Sequence, residues 1–374
     1  IPSPRAYGLC CSTPDSRSTS ATTPRSAARS SPNGPRPRCR VEAGRGQILK
    51  VLVTGGGGFL GTSICRLLLQ SGHQPVAFQR GQAQHLQAEG TKVIRGDICD
   101  ISDLKHAAEG CEAVIHTAGK AGIWGQPEDY FRINVEGTAN VLTACRELGI
   151  TYLVHTSSPS IVHSGGDVSG ADESLPIADH FPAPYPASKA EAEKRVIAAN
   201  DEKLKTVALR PHLIWGPGDP HILPRLVEKS KGGSLALPGP DKLVDTIFVE
   251  NAAQAHVLAL QELRQAGRCA GKPYFVTNNE PLPQGEIIGR LLAAVGVDVR
   301  IRAVPVGLAR FAGAVCESAW RTLRLDSEPP VTRFSVDQLA TAHWYDTSAA
   351  KRDFGYEPEI SIAEGLERLA QVGL

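Results

Sequence analysis

Methionine is absent from all 374 residues, position 1 included, so the natural start of the chain is expected to lie elsewhere. The nine cysteines are odd in number and include no Cys-x-x-Cys pair. That pattern disfavours a disulfide framework and a zinc site, and suits a reducing compartment. Cys65, Cys99, Cys111 and Cys145 then read as small buried apolar side chains. Net charge is only +1, too little for a field that would recruit nucleic acid or an anionic membrane. No apolar run reaches the roughly 18 to 20 residues of a bilayer span. The nearest, Val304 to Leu323, carries Arg310, Glu317 and Arg321 and predicts an amphipathic helix. What remains is a chain with 41% hydrophobic residues, enough to bury a large core. These absences leave a cytoplasmic protein acting on a small neutral or weakly anionic molecule.

Residues 1–46 differ in kind from the rest. They are crowded with Ser, Pro, Thr and Arg, lack Lys, and hold only Asp15 and Glu42 as acids. Without an apolar period they cannot build a core, so a disordered extension is expected. An organelle-targeting segment is the alternative, although the prolines oppose the amphipathic helix a mitochondrial signal needs.

From Ile48 onward, short apolar runs alternate with amphipathic stretches. Strands are expected at Ile48 to Thr54, Pro75 to Phe78, Lys92 to Arg95, Ala113 to Thr117, Tyr152 to Thr156 and Thr206 to Arg210, with helices at Asp129 to Leu148 and Tyr185 to Ala199. Each parallel connection needs a crossover, so the alternation predicts an α/β fold, a Rossmann-type doubly wound parallel sheet. After Arg210 the rhythm loosens into Pro- and Gly-rich sequence, followed by a strand at Asp245 to Val249 and a helix at Asn251 to Leu263. Residues 47–374 are read as one domain, with the cofactor part mainly in 47–210 and a smaller C-terminal substrate-binding lobe mainly in 211–374.

Glycines 55, 58 and 61 follow the first strand directly and open a helix. Glycine suits a tight turn, close approach to a pyrophosphate and close helix-strand packing, and the helix start offers N–H groups to phosphate. Gly55, Gly58, Phe59, Leu60 and Gly61 are therefore the candidate dinucleotide cradle. An NAD site places an acid at the end of the second strand; here Gln79 and Arg80 stand there. Arg80 suits a 2′-phosphate, so NADP(H) is preferred and NAD(H) stays open, with a solvated surface arginine as the plain alternative. Asp97, followed by Ile98, either accepts from the adenine amino group or simply closes a turn.

Tyr185 and Lys189 are four residues apart, which puts phenol and ammonium on one helical face. A nearby cation favours phenolate and is expected to bring the tyrosine toward the working range of an acid/base. Ser157, Ser158 and Ser160 follow a strand at the end where open α/β sheets bind ligands. Ser158 is the candidate donor to a substrate carbonyl; a turn or capping serine is the alternative.

TGGGGFLG (54–61), GDI (96–98), HTAGKAG (116–122), NVEGT (134–138), HTSSPS (155–160), YPASK (185–189) and LRPHLIWGPGDP (209–220) together resemble the extended short-chain dehydrogenase/reductase superfamily. Within it the chain looks most like the branch of 3β-hydroxysteroid dehydrogenase/isomerases and sterol-4α-carboxylate dehydrogenases. HTAGKAGIWG, TSSPSIV and LRPHLIWGPGDPHILPRL look like reductases of 2-alkyl-3-oxo acids in bacterial olefin biosynthesis. The resemblance implies a catalytic set of Ser158, Tyr185 and Lys189, with Ser157 as a one-position alternative. It also implies Asn134 on the nicotinamide side, and a strand end at Thr117, Ala118 and Gly119 beside the cofactor. Val162-His163-Ser164 replaces the hydrophobic-Tyr-Gly of sugar-nucleotide epimerases and speaks against that activity.

The implied reaction is reduction of a 3-oxo to a 3-hydroxy acid. A steroid or sterol-carboxylate dehydrogenase and a silent cofactor-binding sensor or scaffold are the competitors. A keto acid needs a cation and an apolar wall, so Lys120, Trp124, Arg210 and His212 are candidate substrate residues, joined by His221, Trp215 and Phe311. A metal held by His212, Asp219 and His221 is disfavoured, because the chemistry needs none. A homodimer through residues 129–148 and 185–199, and membership of a biosynthetic complex, are also implied by resemblance.

Overall fold

The computed structural model describes residues 48–325 and 327–373. The expectations for residues 1–46 lie outside the described residues. Seven short apolar stretches become strands: β1 (Lys50–Thr54), β2 (Gln74–Gln79), β3 (Lys92–Arg95), β4 (Ala113–His116), β5 (Tyr152–Thr156), β6 (Lys205–Pro211) and β7 (Lys272–Val276). All pair in parallel, in the order β3-β2-β1-β4-β5-β6-β7. The doubly wound sheet is thus as expected, and its order reverses between β1 and β4, where such sheets bind ligands.

Strands buried on both faces require two helical layers. On one face α1 (Phe59–Gln70) and a later helix pack Ile64, Leu68, Leu260 and Leu263 against Val51, Val53, Ile115 and Val207. On the other, α2 (Ile101–Ala108), α3 (Gly137–Leu148) and α4 (Pro184–Ala198) set Leu104, Val141, Cys145 and Val196 against Leu52, Val114 and Leu153. Burial pushes the thiols of Cys65 and Cys145 up to about 12 and Cys111 up to about 11, so these are inert apolar groups. Cys99 is only half-buried.

The remaining chain contributes α5 (Ile222–Ser230), α6 (Val249–Arg264), α7 (Gln284–Ala294), α8 (Val306–Thr322) and α9 (Arg333–Ala340). The boundary at Arg210 is crossed in both directions. β7 and α6 return to the main sheet, where β7 covers the edge that β6 would otherwise leave unpaired. Conversely, Val168–Ala171 joins His343–Tyr345 in a small sheet of the C-terminal part. Two further expectations change. The strand at Asp245 to Val249 shrinks to Ile247–Phe248, paired with Ile214–Trp215. The helix at Asp129 to Leu148 is interrupted: Arg132–Glu136 form a π-helical turn between Pro127–Phe131 and α3. No helix of the described residues is long and apolar enough to cross a membrane.

Candidate active site

A cleft of about 1340 Å³ runs from the glycine loop to α8 and α9. Ordinary ligand pockets are roughly 300 to 1,000 Å³, so this one has room for a dinucleotide and a second molecule. Its floor is the β1-α1 turn. Gly55 takes φ +70°, a left-handed conformation that favours glycine, and donates its N–H to the Phe78 carbonyl at 2.7 Å. A Cβ at Gly61 would overlap the Gly55 carbonyl oxygen, so the turn packs on the helix only without one. Gly58 starts α1 with no capping side chain, and the first turn holds no acid. The positive helix end therefore stays available to an anion.

At the end of β2, Gln79 Oε1 accepts the N–H of Gly57. Arg80 is exposed on the cleft, and its guanidinium makes no hydrogen bond or ion pair among the described residues. Asp97 accepts the N–H of Cys99 at 3.0 Å with one oxygen, closing the turn while still lining the cleft beside Ile98. The glycine cradle, uncapped helix start and unpaired Arg80 together fit a phosphorylated dinucleotide, for which Phe59, Leu60, Thr117, Ala118 and Gly119 form adjoining wall.

Ser158 and Tyr185 line the same cleft beyond β5. The Ser158 hydroxyl lies 2.9 Å from Ser160 Oγ and accepts the Ser160 N–H, and it is near enough to the Tyr185 phenol to lower its pKa. It is thus both the cap of a short turn and a member of the site. Ser157, the alternative, has a buried hydroxyl with no partner among the described residues. Lys189 lies deeper, its Nζ donating to the Thr156 carbonyl at the end of β5.

The electrostatics differ from the expectation of a phenol lowered by Lys189. Burial raises Tyr185 above its ordinary value, and the Ser158 hydrogen bond, not the lysine, is what pulls it back. Tyr185 is therefore a protonated phenol at neutral pH, the form that can give a proton. Burial also lowers Lys189 to about 8, with Glu193 opposing. Lys189 is thus charged below about pH 8 and neutral above it. We expect kcat/KM for ketone reduction to fall as pH rises through about 8, and Lys189→Arg, whose guanidinium stays charged, to abolish that limb. Rate profiles from about pH 6 to 10 check this; an unchanged limb in the arginine variant would assign it to another group.

Several residues do other work than expected. Asn134, turned inward by the π-helical turn, is absent from the cleft wall. Its Oδ1 accepts the Lys120 N–H at 2.7 Å, and its Nδ2 donates to the Lys120 carbonyl and to Ser188 Oγ. It staples the Thr117–Lys120 loop to α4 and so positions that wall from behind the cleft. Lys120 is occupied by Asp129 at 2.8 Å, over the Tyr130 ring. Trp124 stacks under the Arg321 guanidinium outside the cleft.

Arg210 is the largest correction. It forms a buried two-bond ion pair with Glu193, their side chains only 3% and 2% exposed, and its guanidinium rests on Phe275. No substrate carboxylate reaches it. His212 does line the cleft, but burial and then His343 hold it well below its ordinary range, so it is neutral and supplies no cation. Asp219 spends its carboxylate on the N–H groups of His221, Ile222 and Leu223. Trp215 is core, and Phe311 points to solvent at 68% exposure.

The wall opposite the glycine loop joins Leu226 on α5, the end of a quoted motif, to residues no local pattern marked: Leu235 and Leu237, Ile288 on α7, Leu308 and Ala312 on α8, and Phe334 and Leu339 of α9. Arg225, Lys229 and Glu328 are its charged members. Elements far apart in sequence contribute these side chains, and only their apolar character was legible.

Residues 52–305 match the model of the 3-beta hydroxysteroid dehydrogenase/isomerase family. The chain is 51% identical to the 2-alkyl-3-oxoalkanoate reductase of Stenotrophomonas maltophilia (strain K279a), over 86% of this chain and 98% of that one. It is 32% identical to the decarboxylating sterol-4-alpha-carboxylate 3-dehydrogenase of Mus musculus, over 86% and 90%. Among solved structures, UDP-glucose 4-epimerase of Thermus thermophilus, in complex with NAD, superposes with a TM-score of 0.66 at 25% identity, covering 87% of this chain and 98% of that one. With the cradle and the phenol donor in one cleft, these likenesses converge: the chain belongs to the 3-beta hydroxysteroid dehydrogenase/isomerase family and is an NAD(P)-dependent oxidoreductase.

Proposed function

We propose that this protein reduces the 3-oxo group of a 2-alkyl-3-oxo acid to the 3-hydroxy acid, with NADPH as the preferred cofactor. The observation that carries the reading is the placement of a protonated Tyr185, with Ser158 lining the same cleft, between an uncapped phosphate cradle and an apolar wall. The 51% identity to a reductase of that name supports the substrate class. NADPH, when bound on the glycine loop, supplies the hydride. Tyr185 gives its proton to the oxygen as negative charge develops there. Ser158 polarises that oxygen by a hydrogen bond, and its own bond to Ser160 fixes the rotamer. Lys189, anchored on the Thr156 carbonyl and charged below about pH 8, would hold the nicotinamide ribose.

The cofactor preference rests on Arg80 standing unpaired where an acid would favour NAD. Arg80→Ala is expected to raise the KM for NADPH about tenfold or more, the worth of a charge-assisted bond, and to leave NADH nearly unchanged. Equal losses with both cofactors would refute the preference. A homodimer and a cytoplasmic setting belong to the same reading.

A sterol or steroid 3-dehydrogenase is the second reading, favoured by the likeness to the mouse enzyme. A side-by-side assay of a 2-alkyl-3-oxo acid and a 3β-hydroxysteroid, each with both cofactors, separates the two. Silence toward the acid with turnover of the steroid would replace the first with the second.

A further inference from the structure

Hydride and proton transfer account for one half of the cleft. The other half carries a charge balance that this chemistry leaves unused. Arg225 and Lys229 are four residues apart on α5, so both rise from one face of the helix, and both line the cleft with Leu226 between them. One carboxylate answers them: Glu328, from the segment between α8 and α9, pairs with the Arg225 guanidinium. Lys229 makes no ion pair among the described residues, and the charges acting on it are those of Glu328 and Arg225. Two cations against one acid leave one positive charge over, facing a wall that is otherwise apolar.

The pair shares its cleft with the reacting end, since Arg225, Glu328, Ser158 and Tyr185 all line it. The ring of Tyr130 meets that of Tyr185 edge-on at 6.5 Å between centroids. A 3-oxo acid carries its carboxylate only one carbon from the ketone, so its anion must be received near the phenol. The cations first expected there are spent, Arg210 on Glu193 and Lys120 on Asp129. Arg225 is spent too, but on a partner of the same chemistry as the missing ligand.

We propose that Arg225, with Lys229 beside it, is the subsite for the substrate's carboxylate, and that Glu328 is an internal stand-in which that carboxylate displaces; this builds on the keto-acid reading above. A guanidinium fork takes a carboxylate by two N–H bonds. Exchanging one carboxylate for another keeps Arg225 paired in both states, so an acid enters without stranding a cation. A neutral ketone of the same length has nothing to exchange and leaves the Arg225–Glu328 pair intact. The apolar wall of Leu235, Leu237, Ile288, Leu308 and Phe334 then receives the alkyl chains.

The test is steady-state oxidation of a 2-alkyl-3-hydroxy acid and of its methyl ester by the full chain with NADP+, followed by absorbance of the reduced cofactor. This direction avoids loss of CO2 from a 3-oxo acid before mixing. Arg225→Gln is expected to raise the KM for the acid about 10- to 100-fold, the worth of a hydrogen bond to a charged group, with kcat and the KM for the ester unchanged. Arg225→Lys restores part of the loss. Glu328→Gln, by removing the competitor, lowers the KM for the acid and not for the ester, a gain that misfolding cannot produce. Equal effects of Arg225→Gln on acid and ester, or no gain from Glu328→Gln, would overturn the subsite. Turnover of neither compound by the unsubstituted chain would instead overturn the keto-acid reading.

Discussion

Tyr185→Phe is expected to lower kcat for ketone reduction by about 10²- to 10⁴-fold, the usual worth of a positioned proton donor, while cofactor binding persists. The variant removes one oxygen and keeps the ring that packs edge-on against Tyr130. The glycine turn is untouched, because its hydrogen bonds run to Phe78 and Gln79. Because burial keeps the phenol protonated at neutral pH, the loss should be greatest for reduction, where the O–H is the reagent. Two measurements decide it: turnover with a 2-alkyl-3-oxo acid, and fluorescence titration with NADPH. Retained turnover would move the proton donor elsewhere, and lost binding would mean that the substitution disturbed the cradle.

Glu193→Ala is expected to destabilise the fold by about 3 to 5 kcal/mol, the cost of leaving a buried charge without its partner. Arg210 is already short of one contact, since its Nη1 is buried with none among the described residues, and its one ion pair there is with Glu193. A shift of that size is a large share of the roughly 5 to 15 kcal/mol that holds a domain together. It is read from the midpoint of urea unfolding. The double change Glu193→Leu with Arg210→Met should recover most of the loss, because an apolar pair of similar size needs no desolvated charge. If the single substitution proves silent, the pair is not the closed structural clamp seen between α4 and β6. Should Arg210 instead serve the substrate, Glu193→Ala would alter KM more than stability.

The candidate residues that the structure gathers at the cleft and those that it commits elsewhere differ in a physical way. Gly55, Gly58 and Gly61 could be read because their purpose is local: each concerns backbone within one turn, and the spacing itself encodes the geometry. The same holds for Tyr185 and Lys189, set by one turn of helix, and for Ser158 at a strand end. Their protonation could not be read, because it depends on how deeply the folded chain buries them. Lys120 and Arg210 were chosen for charge and position along the chain, yet a cation's role depends on which carboxylate reaches it first. Asp129 and Glu193 reach them from helices packed alongside. Asn134 was expected on the nicotinamide side, but the π-helical turn turns its amide toward Lys120 and Ser188.

The sequence by itself determined the parallel sheet, the positions of its first six strands and the lack of an acid after β2, and it singled out the glycine turn and Ser158, Tyr185 and Lys189 as candidates. All of these rest on short-range periodicity and glycine spacing, which survive without knowledge of distant contacts. Only the tertiary structure decided that β7 and α6 return across the lobe boundary to finish the sheet, that Arg210 is structural, and that Arg225 and Lys229 face the cleft. The physical reason is the same in each case. A strand edge, a buried charge and a cleft wall are each completed by a partner remote in sequence, and which partner arrives is settled by packing rather than by pattern.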